Sequence, residues 1–175
     1  MTYDELLERV EIALNANDAK TAIKLCDSFI LANPSSPAGY KKRSGVHARL
    51  ENFSCAITDI SEAIRLSSKE ADYYFFRGWW KFESGDLDGA IEDQSVAINL
   101  EAHSLEKVVT ESAFFFRALA RLELGDYKSA LLDVERVPDD FLIYLRRTGE
   151  ITKSELIKLA KKSLDSDRGQ NDFRQ

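Results

Sequence analysis

Two sets of side chains in this sequence have types and spacings that could do chemistry. The first is a series of charge pairs. Arg43, Arg77 and Arg117 are each followed sixteen residues later by an aspartate: Asp59, Asp93 and Asp133. A guanidinium is a rigid fork of donors, so a repeated arginine can hold an anionic ligand. The constant partner supports a second reading. Residues sixteen apart lie at similar height on two antiparallel helices joined by a turn, so each aspartate can satisfy its own arginine. The pairs are then clamps between helices, and breaking one costs about 3–5 kcal/mol. The second set comprises the nucleophiles and acid–base groups. His47 and His103 are isolated, and Cys26 and Cys55 form no CxxC and have no histidine at ligand spacing. The carboxylate pairs Glu92-Asp93 and Asp139-Asp140 fall at helix surfaces and caps. No glycine-rich phosphate loop follows a strand, and no Ser/His/Asp arrangement can be assembled. Catalysis, a metal site and a cofactor are therefore not expected.

Bulk properties narrow the choice further. Hydrophobic residues make up 44% and charged residues 31% of the 175 positions, as in ordinary globular chains. The 8 glycines and 3 prolines are too few for a turn-rich all-β fold. A net charge of −6 argues against nucleic-acid binding, which needs a basic footprint. The same charge fits a basic partner. No basic segment leads into an apolar core at the N-terminus, and no apolar run approaches the ~20 residues of a membrane span. A cytoplasmic location is expected, with Cys26 and Cys55 as reduced packing residues of apolar helical segments.

The elements that would carry these residues are helices. From Tyr73 to Leu100 the chain reads as two helices joined at Ser84-Gly85-Asp86. Gly85 suits the left-handed residue after a helix end, and Asp86 suits the following N-cap. The pattern repeats. Ala22, Ala56 and Ala90 are spaced by 34 residues, and Ala130 follows 40 later. Each precedes an aliphatic residue: Ile23, Ile57, Ile91, Leu131. The first helices open on Leu6, Tyr40, Tyr74 and Phe114. A small residue follows at Ser44, Gly78 and Ala118, with Val10 deviating. The turns read Asn17-Asp18, Glu51-Asn52, Gly85-Asp86 and Gly125-Asp126. This 34-residue, two-helix period resembles the tetratricopeptide repeat, or TPR, over roughly residues 3–137.

The resemblance implies an all-α, right-handed superhelix (a TPR solenoid) with about four helix pairs and one or two extra C-terminal helices. A single domain over 1–165 is expected, with units at about 3–35, 36–68, 69–102 and 103–138. Capping helices would occupy 139–165 and a flexible tail 166–175. The six-residue insertion within Glu101–Ser112 either lengthens the fourth unit's first helix, starting near Ser104, or forms a loop. Asp139-Asp140 would cap a helix carrying Phe141, Leu142, Tyr144 and Leu145, ended by Thr148-Gly149. Thr152-Lys153-Ser154-Glu155 is a capping box opening a last helix.

In the family, first helices line a concave groove that holds a protein or peptide partner. By resemblance the groove residues here include Lys41, Lys42 and Arg49, then Phe75, Phe76, Trp79 and Phe82, then Phe115 and Phe116. Aromatic side chains dominate binding hot spots. Phe75, Phe76, Phe115 and Phe116 could equally pack the core. Trp79 and Trp80 are adjacent, so they point about 100° apart and one packs while the other faces groove or solvent. The carboxylate clamp of chaperone-binding TPR domains is missing: its positions hold Leu7, Glu11, Lys42, Asp72 and Phe76. The expected function is a non-enzymatic protein-interaction module. Neutralisation of a bacterial toxin, as an immunity protein, and a role as secretion chaperone or assembly adaptor are the alternatives. The former rests on acidity and on a C-terminal segment resembling small TPR proteins encoded beside toxins. Chaperones of the latter class place three repeats after a dimerisation arm, whereas the first repeat here opens near Met1. Oligomeric state does not follow from the sequence.

Overall fold

The computed structural model describes residues 1–104, 107–145 and 149–172, with residues 166–172 as backbone only. Eight helices come first: α1 (Tyr3–Asn15), α2 (Ala19–Ala32), α3 (Pro37–Arg49), α4 (Phe53–Leu66), α5 (Ala71–Ser84), α6 (Leu87–Glu101), α7 (Thr110–Glu123) and α8 (Tyr127–Val134). A hairpin of β1 (Leu142–Leu145) and β2 (Gly149–Thr152) follows, then α9 (Lys153–Asp172). The chain divides into two compact units, Met1–Gly85 and Asp86–Gln175.

The repeat is written into the turns. Asn17, Glu51, Gly85 and Gly125 all adopt positive φ, at 57°, 61°, 88° and 81°. That left-handed residue ends one helix and aims the chain into the next. In three of the four turns the residue after it caps the following helix through its side chain. Asp18 accepts from the Thr21 amide at 3.0 Å, Asp86 from Gly89 at 3.0 Å and Asp126 from Ser129 at 3.2 Å. Each carboxylate satisfies a donor that the first helical turn leaves open.

In the first unit, one apolar cluster joins Leu6, Val10 and Ala13 of α1 to Ala22, Cys26 and Phe29 of α2 and Val46 of α3. A second joins Ala56, Ile60, Ala63 and Ile64 of α4 to Tyr73 and Trp80 of α5. In the second unit, α9 packs against α8 and buries Leu156 and Ala160. Phe115 of α7 is fully buried, with its ring 5.3 Å from that of Phe141. Thr152 opens α9 as the capping box requires: its hydroxyl accepts from the Glu155 amide at 3.3 Å, and Glu155 accepts from the Thr152 amide at 2.9 Å.

Four expectations need correction. The insertion does not lengthen α7, which starts at Thr110, well after Ser104. The described residues of 102–109 form a loop, with residues 105 and 106 outside the description. Its cause is Glu101, whose buried carboxylate accepts the amides of Val108 (3.0 Å), Val109 (3.1 Å) and Thr110 (2.9 Å). Val109 has no side-chain cap to offer, so Glu101 caps α7 from the end of the preceding helix.

The segment after Asp139-Asp140 is a strand rather than a capped helix. Leu142-Ile143-Tyr144-Leu145 is short, aromatic and β-branched, and it alternates: Leu142 and Tyr144 are exposed, while Ile143 is half-buried and Leu145 buried. That is a period of two. Gly149, at φ 80°, enters β2, while the expected helix end at Thr148 lies outside the described residues. Finally, α9 runs past Ser166 to Asp172, where a flexible tail was expected. Adding residues to an existing helix costs far less than nucleating one. Residues 173–175 lie outside the description. Cys55 is also exposed, whereas Cys26 is buried as expected.

Candidate functional site

The first helices of the first unit, α1, α3 and α5, together line a cavity of about 320 Å³. Its apolar part is Leu7 and Leu14 of α1, Val46 of α3, and Phe76 and Trp80 of α5. The rings of Phe76 and Trp80, one helical turn apart, stack at 5.8 Å and 22°. Its polar rim is Lys41, Lys42 and Arg49 of α3 with Glu11 of α1. Gly45 lies among these cations, and a Cβ built there meets nothing within 4 Å. The absence of a side chain leaves the cavity open between the cations.

The cations are held by acids. Lys42 Nζ donates to Glu11 Oε1 at 2.7 Å, and Arg49 lies 3.8 Å from the other oxygen. The Lys42 hydrogen bond pulls the Glu11 carboxyl below the usual glutamate range. Lys41 pairs with Asp72 and lies 5.4 Å from the Tyr73 ring and 5.8 Å from that of Phe76. Burial pushes the Tyr73 hydroxyl up to about 12, so it stays a neutral phenol beside Lys41.

The other aromatic residues expected in the groove divide by burial. Phe75, Phe82, Phe115 and Phe116 are buried, and none of them lines this cavity. The helical step sends Phe75 to the core and leaves Phe76 half-buried in the cavity lining, whereas the adjacent Phe115 and Phe116 are both buried. Trp79 is half-buried outside the cavity lining and donates Nε1 to Glu83 at 3.4 Å. Its neighbour Trp80 lines the cavity. The Phe76–Trp80 spacing of four was the signal that could have found it.

The repeated arginines serve the framework. Arg43 donates Nε and Nη2 to Asp59 at 2.8 and 2.6 Å, and Nη1 to Asp27 at 2.7 Å. Arg117 repeats this, with Asp133 at 2.8 and 2.6 Å and Ser95 at 2.9 Å. Arg77 donates to Ser61 at 3.2 Å. Arg77 and Asp93 belong to different units, and Asp93 is buried. Each arginine also lies over the aromatic ring that opens its helix: Tyr40, Tyr74 or Phe114, at 5.9, 5.5 and 5.3 Å. His47 lies 3.9 Å from Asp59, beside this clamp. Among the described residues no group of three or more His, Cys, Asp or Glu could hold a metal ion, and no helix is long and apolar enough to cross a membrane.

Paired antiparallel helices, left-handed turn residues and a groove on the first helices define the tetratricopeptide-repeat fold, and this chain has it. The MamA crystal structure superimposes with a TM-score of 0.76 over 98% of this chain and 88% of that one, at 18% identity. The TPR2B domain of yeast Sti1, solved as a pHsp70 complex, gives 0.63 over 69% of this chain and 97% of that one, at 19% identity. The first TPR of RPAP3, bound to the HSP90 peptide SRMEEVD, gives 0.59 over 70% and 94%, at 21% identity. No protein-family model matches the chain. In sequence, human serine/threonine-protein phosphatase 5 is 26% identical over 167 residues, which are 89% of this chain and 33% of that protein. The rat enzyme is 27% identical over 141 residues, 75% of this chain and 28% of that protein. The chain thus spans about a third of the length of the curated relatives it matches.

Proposed function

We propose that this chain is a protein-interaction module that takes an acidic, apolar peptide segment of a partner protein into the groove on α1, α3 and α5. The observation that carries the reading is the convergence of Lys41, Lys42 and Arg49 on a cavity floored by Leu7, Leu14, Val46, Phe76 and Trp80. The net charge of −6 argued for a basic partner. A groove, however, is read by its local field, and here three cations face one lining acid, Glu11. The RPAP3 neighbour holds a peptide with three acidic side chains, SRMEEVD. The chaperone clamp is absent from this chain, so the partner is a different acidic segment. The free thiols suit a reducing compartment, and we place the module in the cytoplasm.

The test is a fluorescence-polarisation screen of the full chain against labelled peptide pools, one acidic and apolar, one basic and apolar. Selective binding of the acidic pool is expected. Lys42→Ala with Arg49→Ala should weaken it at least tenfold, and Gly45→Phe should abolish it by filling the cavity. Preference for the basic pool, or acidic binding indifferent to these changes, would move the site elsewhere.

A further inference from the structure

Two Arg–Asp clamps each lie within a single unit, and they differ in charge. Between α3 and α4 one guanidinium, Arg43, meets two carboxylates, Asp59 and Asp27. Between α7 and α8 two guanidiniums meet one carboxylate: Asp133 accepts from Arg117 at 2.8 and 2.6 Å and from Arg121 at 2.6 Å. The repeat phase shows which positions differ. Arg121 stands at the position of His47, Ser95 at that of Asp27 and Arg136 at that of Glu62. All three make the second clamp more positive, and only Glu135, at the position of Ser61, adds an acid. Arg117, Arg121 and Arg136 line a cavity of about 750 Å³ with Asp133, Glu135 and the exposed Leu132. Arg117 spends all three nitrogens on Asp133 and Ser95 and belongs to the framework. Arg121 does not. Its Nη1 donates to Asp133 and to the Ser129 carbonyl at 3.4 Å, and among the described residues no acceptor meets its Nε or Nη2. The exposed Arg136 guanidinium likewise has no acceptor among the described residues.

We propose that this cavity binds a phosphate monoester. Its lining carries three guanidiniums against two carboxylates, a local excess of positive charge in a chain of net charge −6. The open donors sit on two arginine forks, Arg121 of α7 and Arg136 just after α8. A carboxylate has two oxygens, and a single fork satisfies both. Two forks call for an acceptor with more oxygens, and a phosphate monoester offers three strong acceptors with close to two negative charges at pH 7. The cavity volume leaves room for the group that carries the phosphate, and Leu132, 65% exposed, offers that group an apolar contact. A phosphorylated side chain of a partner protein and a small phosphate ester share this chemistry. The site belongs to the second unit and uses no residue of the groove on α1, α3 and α5.

Isothermal titration calorimetry of the full chain tests this with three probes: a peptide carrying phosphoserine beside leucine, the same peptide with aspartate in place of phosphoserine, and inorganic phosphate. The phosphopeptide is expected to bind about tenfold or more tightly than the aspartate peptide. A phosphopeptide tighter than inorganic phosphate assigns the site to a phosphorylated partner, and one no tighter assigns it to a small phosphate compound. Arg136→Glu changes an exposed side chain, so the helical circular-dichroism spectrum should stay unchanged while phosphate binding weakens about tenfold or more. Arg121→Lys keeps a cation beside Asp133 but removes the second fork, and it should also weaken binding. Failure of both phosphate probes to bind overturns the proposal. So does an aspartate peptide that binds as tightly as the phosphopeptide, or phosphate binding that survives either substitution.

Discussion

Asp59 of α4 receives two of the three hydrogen bonds that Arg43 of α3 makes, at 2.8 and 2.6 Å, and is itself 6% exposed. The third goes to Asp27, whose side chain is half-exposed. The hydrogen bonds to Asp59 raise the Arg43 guanidinium above its already high value. Its two carboxylates are not equivalent. Arg43→Ala strands a buried charge and is expected to cost about 3–5 kcal/mol. Asp27→Ala removes an exposed partner and should cost about 1 kcal/mol or less. Urea unfolding of the two variants measures the difference, and equal costs would refute the clamp.

The four turns share one backbone conformation but not one residue type. Glu51 holds φ 61° where Gly85 holds φ 88°. A left-handed residue with a Cβ is disfavoured by roughly 1–2 kcal/mol relative to glycine. Glu51→Gly is therefore expected to stabilise the protein by about 1 kcal/mol, and Gly85→Ala to destabilise it by a similar amount. Thermal unfolding should move in opposite directions for the two. A loss of stability in Glu51→Gly would mean that the glutamate side chain outweighs its backbone strain.

These turns were legible in the sequence because they depend on local chemistry repeated at a fixed period. The partners Arg43–Asp59 and Arg117–Asp133 were legible for the same reason, since one turn fixes both helices. What was misread depended on distant contacts. Glu101 caps a helix that begins nine residues later, and no local signal marks it. Leu142–Leu145 is too short for periodicity to separate strand from helix, and pairing with β2 decides it. Lys41, Lys42 and Arg49 of α3, expected in the groove from repeat phase, line the cavity. The aromatic floor was assigned to Trp79 instead of Trp80 because adjacent tryptophans leave the choice to packing.

Glu101 offers a test of long-range capping. Its carboxylate accepts from three consecutive amides and from the Thr110 hydroxyl at 2.6 Å. Glu101→Ala leaves those donors unmet, the Val109 amide among them buried, and should cost about 1–3 kcal/mol. Amide exchange should accelerate at Val108, Val109 and Thr110 before it does so in α8. Uniform acceleration across the second unit would assign Glu101 a packing role instead.

The thiols should separate cleanly. Burial raises the Cys26 thiol to about 12, which leaves almost no thiolate at pH 8. Cys55 is exposed. A disulfide reagent at pH 8 is expected to titrate one thiol in the native protein and both in urea. Two fast thiols in native buffer would show that the α1–α2 core opens readily.

Acid should weaken the fold through a defined set of carboxylates. Glu11 is lowered first by its hydrogen bond from Lys42, Asp126 by Ser129, Asp18 by Thr21 and Glu155 by the Thr152 amide. A carboxyl whose folded pKa lies below its ordinary value contributes stability that is fully present above that ordinary value. The contribution is lost as pH falls through the folded pKa. The ordinary values are 4.5 for Glu and 3.8 for Asp. Stability should therefore hold level from neutrality to about pH 5 and decline below it. Glu11→Gln isolates one member of the set. Glu11 is half-exposed, so its ion pair is worth under about 1 kcal/mol after solvent screening. The variant should be slightly less stable than the parent at pH 7 and converge on it at pH 3. A gap of the same size at both pH values would mean that the Lys42 contact acts through packing and not through charge.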